Sequence, residues 1–257
     1  MTIRIERGEP AAQDARVATL VLDRPPLNIL DLETIARLDE ALSSLDPDLQ
    51  LLFLRGAGPR GFSAGVAVQD HTPDRIARAL AGLHGVIRRL DALPAVTVAA
   101  VHGHCLGGGM ELALACDLVL ATDDARFGQP EIDLGCFPPV AAALYPKLLG
   151  ASRTLELLLT GRTMTCAEAE SLGLVTWRVA EGGLDLGIAR VIADLTAKSA
   201  AVTRLAKRAV RAGRDRSFPD ALAETERLYL DDLVRSEDMH EGLAAFLEKR
   251  PPAWRHR

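Results

Sequence analysis

The stretch from Val98 to Asp117, VAAVHGHCLGGGMELALACD, joins a β-branched run to an apolar run of small and unbranched residues through four glycines packed into seven positions. Val98 to Val101 reads as a buried strand and Met110 to Cys116 as a buried helix. Between them Gly103, Gly107, Gly108 and Gly109 make a loop whose backbone can approach a ligand with no Cβ in the way. A helix that starts after such a loop points unpaired N–H groups at whatever sits there, which favours negative charge. The first turn of the helix carries Glu111. That carboxylate reads either as a functional group or as an acidic residue suited to a helix start.

The remaining chain can be placed around this stretch. Val17 to Asp23 alternates as a strand and breaks at Arg24-Pro25-Pro26. Asp31 then caps an amphipathic helix to Leu45, with Leu32, Ile35, Leu38 and Leu42 on one face. A strand at Leu51 to Arg55 leads into a loop from Gly56 to Asp70. Thr72-Pro73 reads as a cap with proline at the first position of a helix that runs to about Leu93. Leu118 to Thr122 is a further strand. This alternation over residues 17 to 130 points to an α/β core with helices covering a largely parallel sheet. Beyond residue 140 the periodicity predicts helices at Val140 to Leu149, Ser152 to Leu159, Ala167 to Leu172 (with Thr165 and Glu168 as a capping box), Asp185 to Ser199, Ala201 to Ala212 and, with breaks, Pro219 to Lys249. Leu174 to Val179 is the strand among them. The last ~60 residues are thus a helical layer.

Composition narrows the function classes. At 257 residues the chain can bury a core large enough for an enzyme. Aromatics are 4% and the net charge is −5, which argues against nucleic-acid binding. A local pocket can still hold a polyanionic ligand such as a nucleotide. The four cysteines, Cys105, Cys116, Cys136 and Cys166, have no metal-ligand or C-x-x-C spacing and read as reduced small apolar residues, with no bound metal. The N-terminal MTIRIERGEP has no apolar leader and no run reaches membrane-spanning length, so a cytoplasmic, soluble chain is expected.

Two motif matches fail on context. Gly56-Ala57-Gly58-Pro59-Arg60-Gly61 fits a dinucleotide fingerprint but contains a proline and is followed by further loop where a helix must open. Gly61-Phe62-Ser63-Ala64-Gly65 fits a hydrolase elbow, yet a loop lies on both sides and nothing local ties Ser63 to a base. Cys136 likewise has no base partner nearby. A better pair is Glu111 with Glu131, which stands in Phe127-Gly128-Gln129-Pro130-Glu131. Two carboxylates in one cleft can split into one ionised base and one protonated acid, because repulsion and burial raise a pKa. Beside backbone donors that hold an oxyanion, such a pair suits addition of water to a double bond conjugated with a carbonyl. Read without such a cleft, Glu131 is a surface carboxylate at a proline turn.

These residues resemble the enoyl-CoA hydratase/isomerase (crotonase) superfamily over nearly the whole chain. The resemblance is carried by Arg24-Pro25 with Asn28, FSAGVAV (62–68), HGHCLGGGMELALACDLVLA (102–121), FGQPEIDLG (127–135), LTGRTMTCAEAESLGLV (159–175) and EGLAAFLEKRPP (241–252). It implies an α/β fold, a spiral of ββα units over residues 1–195 with a C-terminal helical trimerisation region at 196–257, assembled as a homotrimer or dimer of trimers. It implies oxyanion-hole amides at Val66 and Gly108, catalytic carboxylates Glu111 and Glu131, and an acyl-CoA thioester bound along Leu27, Ala64, Val66 and Gln69. No cofactor beyond the coenzyme A of the substrate is implied. Retention of both glutamates favours a hydratase; an isomerase or hydrolase using the same hole, and a non-catalytic acyl-CoA-binding scaffold, are the alternatives.

The chain departs from the family pattern at Ala67 and Gln69, where Asp and Lys are common. It departs again at CFPPVAAALYPK (136–147), where ordinary hydratases are glycine-rich. Pro139 has no N–H to give a catalytic water, so the glutamates alone hold that water or the pocket is shaped differently. This segment, with Gln69-Asp70-His71-Thr72-Pro73, is similar to cyclohexa-1,5-diene-1-carbonyl-CoA hydratases of anaerobic aromatic degradation. His71 then either shapes the acyl pocket or is an uninvolved loop residue.

Overall fold

A computed structural model describes residues 2–7 and 15–257, so part of the N-terminal stretch read as lacking a leader lies outside the described residues. In chain order, β1 (Ile3–Arg7) and β2 (Val17–Leu22) lead to α1 (Leu32–Ser43). Three units then repeat one plan: β3 (Leu51–Gly56), β4 (Gly61–Ser63) and α2 (Ile76–Ala92); β5 (Val96–Val101), β6 (His104–Leu106) and α3 (Gly108–Leu114); β7 (Leu118–Thr122), β8 (Arg126–Gly128) and α4 (Pro139–Leu149). They are followed by α5 (Ala151–Thr160), β9 (Thr163–Thr165), α6 (Cys166–Ser171), β10 (Trp177–Val179), α7 (Leu184–Thr196), α8 (Ala200–Ala212), α9 (Phe218–Leu228) and α10 (Glu237–Glu248).

The first strand of each unit joins one sheet, ordered β1-β2-β3-β5-β7-β10, and the second joins another, ordered β4-β6-β8-β9. Successive units therefore stack as turns of a spiral of ββα units. All pairings of the larger sheet are parallel except β1 with β2, and those of the smaller sheet are parallel except β8 with β9.

Strand periodicity sorts the apolar residues between two layers. Ala18, Leu20, Leu22, Leu52, Leu54, Ala99, Val101, Val119 and Ala121 join the main core with α1, α2 and α3. The alternate residues Val17, Leu51, Phe53, Val98, Ala100 and Leu120 pack against Leu184, Ile188, Val191 and Ile192 of α7. Burying those four helical side chains contributes on the order of 6–12 kcal/mol before chain entropy is counted.

Several boundaries differ from the sequence reading. The Thr72-Pro73 cap is not formed: α2 begins at Ile76, and the Thr72 carbonyl accepts from Arg75 N and Ile76 N. Thr72 lies just past the 3-10 turn Val68–His71, whose buried Asp70 accepts from Leu32 N at 3.1 Å and pairs with Arg75 at 2.8 Å, holding Thr72 and Pro73 outside the helix. The Gly56–Asp70 loop contains β4, and the glycine loop contains β6. β1 has no counterpart in the sequence reading, and the Leu174–Val179 strand shortens to β10. Asp31 caps α1 as expected, accepting from Thr34 N at 2.9 Å. Thr165 caps α6, but Glu168 turns to Arg162 (2.6 Å) rather than closing a capping box.

The last helical stretch breaks into α9, a π turn (Tyr229–Leu233) and α10. These segments expose Leu222, Tyr229, Leu230, Leu243, Phe246 and Leu247. Among the described residues no helix is long and apolar enough to cross a membrane, and no three of His, Cys, Asp and Glu are grouped to hold a metal ion. All four cysteines are free thiols, three of them buried.

Candidate active site

The candidate site forms where the three units of the spiral meet. Asn28, at φ 51°, donates its amide to the carbonyls of Ala57 and Gly61 (both 2.9 Å). Ser63 Oγ donates to the Asn28 carbonyl at 2.8 Å and accepts from Gly65 N at 3.1 Å. Ser63 is therefore a buried loop organiser with both sides of its hydroxyl occupied, which removes the nucleophile reading. The G-x-G-x-x-G run leads into β4 and a 3-10 turn, not a helix, so the dinucleotide reading fails as well.

The clamp sets residues 27–30 beside 64–67: Ala64 N donates to Leu27 O, Leu30 N to Gly65 O and Ala67 N to Leu30 O. In this parallel register Leu30 uses both its groups, and Val66 N–H turns to the opposite side. That side faces the glycine loop. Gly65, at φ +91°, comes so near that a Cβ there would lie 2.9 Å from Leu106 O and 3.1 Å from Gly108 N. A Cβ on Gly108 would lie 3.5 Å from Val66 N. Two backbone amides thus stand side by side, and among the described residues neither has a protein acceptor. Gly108 opens α3, so its N–H is among the first of the helix, which lack intrahelical partners.

Glu111 lies in the first turn of α3 and is 3% exposed. Its Oε1 accepts from Ala141 N at 2.9 Å. Burial, helped by the Glu131 charge, raises its pKa to about 7 against the lowering effect of backbone hydrogen bonding at Ala141 and Val140. Glu131, in a 3-10 turn at Pro130–Leu134, is also raised to about 7 by burial. Desolvation thus lifts both carboxyls, where the sequence reading expected one. Glu131 reaches the glycine loop: a Cβ on Gly107, at φ +53°, would lie 2.6 Å from its Oε1. Gln129, oriented to satisfy its neighbours, donates to both Glu131 oxygens at 3.0 and 3.2 Å and accepts from the Tyr145 hydroxyl.

The structure therefore brings Val66, Gly108, Glu111 and Glu131 together. Leu27 and Ala64 are joined by their backbone bond at one edge. Gln69 is exposed on the following 3-10 turn, and the half-buried His71 donates Nδ1–H to Ala67 O at 3.0 Å. Pro139 is the first residue of α4. Pro139 has no N–H to give, and the amide of Ala141, two residues on, bonds Glu111 itself. Ala141, Gln129 and Tyr145 were not among the sequence candidates; GQPE marks Gln129 only by adjacency to Glu131.

Comparison with known proteins bears on this geometry. The model of the family "Enoyl-CoA hydratase/isomerase" matches residues 12–257. The chain is 38% identical over 247 residues to a cyclohexa-1,5-dienecarbonyl-CoA hydratase of Thauera aromatica, covering 95% of each. It is 32% identical over 246 residues to a short-chain-enoyl-CoA hydratase of Clostridium acetobutylicum, covering 93% of this chain and 94% of the relative. An enoyl-CoA hydratase structure from Bacillus anthracis superposes with a TM-score of 0.92 at 28% identity over the full length of both chains.

Proposed function

The chain belongs to the enoyl-CoA hydratase/isomerase family, and from that premise we propose that it is a hydro-lyase adding water reversibly across the C=C of an α,β-unsaturated acyl-CoA. The observation that carries this reading is the juxtaposition of the buried Glu111 and the half-buried Glu131, both raised to about 7, with two adjacent amides that have no partner among the described residues. The thioester oxygen accepts from Val66 N–H and Gly108 N–H, which draws electrons toward the carbonyl and leaves Cβ electrophilic. A water lies between Glu111 and Glu131. The ionised member of the pair takes one of its protons as the oxygen bonds to Cβ, and charge moves onto the thioester oxygen as an enolate. The protonated member then delivers its proton to Cα, so one H and one OH are added and the pair exchanges roles. Each amide of such a hole is typically worth ~3–4 kcal/mol of barrier.

Coenzyme A lies along Leu27, Ala64, Val66 and Gln69 in this reading, with His71 and Pro139 at the acyl pocket. The acyl group we assign is a cyclic dienoyl, supported by the Thauera aromatica relative and by the proline-rich, glycine-poor start of α4. The exposed apolar residues of α9 and α10 are suited to a homo-oligomeric contact, with residues 196–257 as the assembling region. Purified protein offered linear crotonyl-CoA and cyclic dienoyl-CoA, with conjugated-thioester absorbance followed, tests the assignment. Loss with the cyclic substrate is expected to exceed loss with the linear one. The reverse ranking removes the cyclic substrate, and no loss with either removes the hydratase.

A further inference from the structure

Helix α4 meets both glutamates from one face. Ala141 and Tyr145 are four residues apart, which places them on the same side of the helix. Ala141 N–H bonds Glu111, and the Tyr145 hydroxyl meets Gln129, whose amide meets Glu131. Tyr145 and Gln129 are both completely buried. Neither the hydroxyl nor the amide could be buried cheaply without these partners.

A glutamine amide has nearly the same shape either way round, so packing alone does not decide which end faces the carboxylate. Turned one way it donates to Glu131; turned the other it sets an oxygen against two oxygens. We propose that Tyr145 is a positioning residue whose hydroxyl donates to the Gln129 side-chain oxygen and thereby fixes the amide with its nitrogen toward Glu131. This rests on the reading of Glu131 as one half of the proton pair.

The hydroxyl can serve only as long as it keeps its proton. Burial, then the nearby Glu111 charge, push it well above the usual phenol range, so it remains a donor wherever the glutamates titrate. The titratable groups around this relay are Glu111 of α3, Cys105 of β6 behind Tyr145, and Cys136, whose Sγ donates to the Glu131 backbone carbonyl at 3.4 Å. None of them supplies a hydrogen-bond donor to the Glu131 carboxylate, and the Gln129 amide does.

A hydrogen bond to an ionised carboxylate favours the ionised form. With Tyr145→Phe the amide oxygen loses the donor that anchors it, the bonds from the amide nitrogen to Glu131 loosen, and the Glu131 titration is expected to rise by on the order of one pH unit. The full-length protein is titrated without substrate by pH-difference infrared spectroscopy, the Glu131 band being identified by its loss in Glu131→Gln. Gln129→Met is expected to raise the same titration, and Tyr145→Phe added to Gln129→Met to move it no further. The acidic limb of the kcat/KM profile moves with the band, with KM changed less than about twofold. A folded Tyr145→Phe protein with an unshifted Glu131 band overturns the proposal. So does a Tyr145→Phe shift that persists on Gln129→Met, because the tyrosine would then act by packing. The infrared result needs no turnover, so a protein inactive toward every enoyl-CoA but showing the shift would refute the hydratase and keep the relay.

Discussion

Replacing Glu111 by glutamine should cost activity and add stability, and the size of the second effect can be worked from its burial. Its pKa of about 7 stands against 4.5 for a glutamate free in water. Folding therefore disfavours the carboxylate, and between those values the native state keeps a proton that the unfolded chain has released. Stability falls as pH rises through that window, and the whole penalty is present above it. At about 1.4 kcal/mol per unit, the full shift is worth roughly 3 kcal/mol. Glutamine keeps the oxygen that accepts from Ala141 N–H and removes the charge. At pH 8.5 the Glu111→Gln protein should be about 2–3 kcal/mol more stable than wild type, or roughly 4–10 °C in Tm for a chain of this length. Near pH 4 the two should converge. Urea denaturation at matched protein concentration measures both. A variant less stable than wild type at pH 8.5, or an offset equal at the two pH values, would refute the argument that burial strains this carboxylate. The same variant should lose at least ~100-fold in kcat.

Other consequences follow from the same geometry. The kcat/KM profile of the wild type should be a narrow bell with both limbs near pH 7, reporting macroscopic values of the glutamate pair, and a flat profile from about pH 6 to 8 would contradict it. Gly107→Ala sets a Cβ within 2.6 Å of Glu131 Oε1 at a φ of +53°; kcat should drop by on the order of 100-fold and stability by about 1–2 kcal/mol, read by steady-state kinetics and thermal melts. Asp117 accepts from Thr97 N and Oγ1 and pairs with Lys207 at 2.6 Å and Arg211 at 2.7 Å, tying α8 to the start of β5. Asp117→Asn leaves the buried Lys207 ammonium without its counter-charge and should cost about 3 kcal/mol in denaturant unfolding.

Much of this was legible in the residues. The alternation of apolar runs gave the parallel strands of the larger sheet and its helices, though not the edge strand β1, Asp31 announced the start of α1, and the glycine cluster, Glu111 and Glu131 are residues that the structure brings together. What stayed hidden had physical reasons. The strands of the smaller sheet are three residues long, too short for any period to show. Thr72-Pro73 carries a good local cap signal, but Asp70 and Arg75 hold those residues in a turn. Ala141 acts through a backbone N–H, which an alanine in PPVAAAL does nothing to advertise. Tyr145 and Gln129 lie 16 residues apart, and a buried tyrosine reads as core until its hydroxyl is seen to have a partner.

The most direct test of the account is turnover in 18O-labelled water. With a cyclic dienoyl-CoA or an enoyl-CoA as substrate, mass spectrometry should find one labelled oxygen in an acyl-CoA whose thioester is intact. Both Glu111→Gln and Glu131→Gln should slow that incorporation by at least ~100-fold while acyl-CoA binding persists. Label appearing in a free carboxylic acid with release of coenzyme A, or incorporation at near-full rate in either variant, would contradict the two-glutamate hydratase.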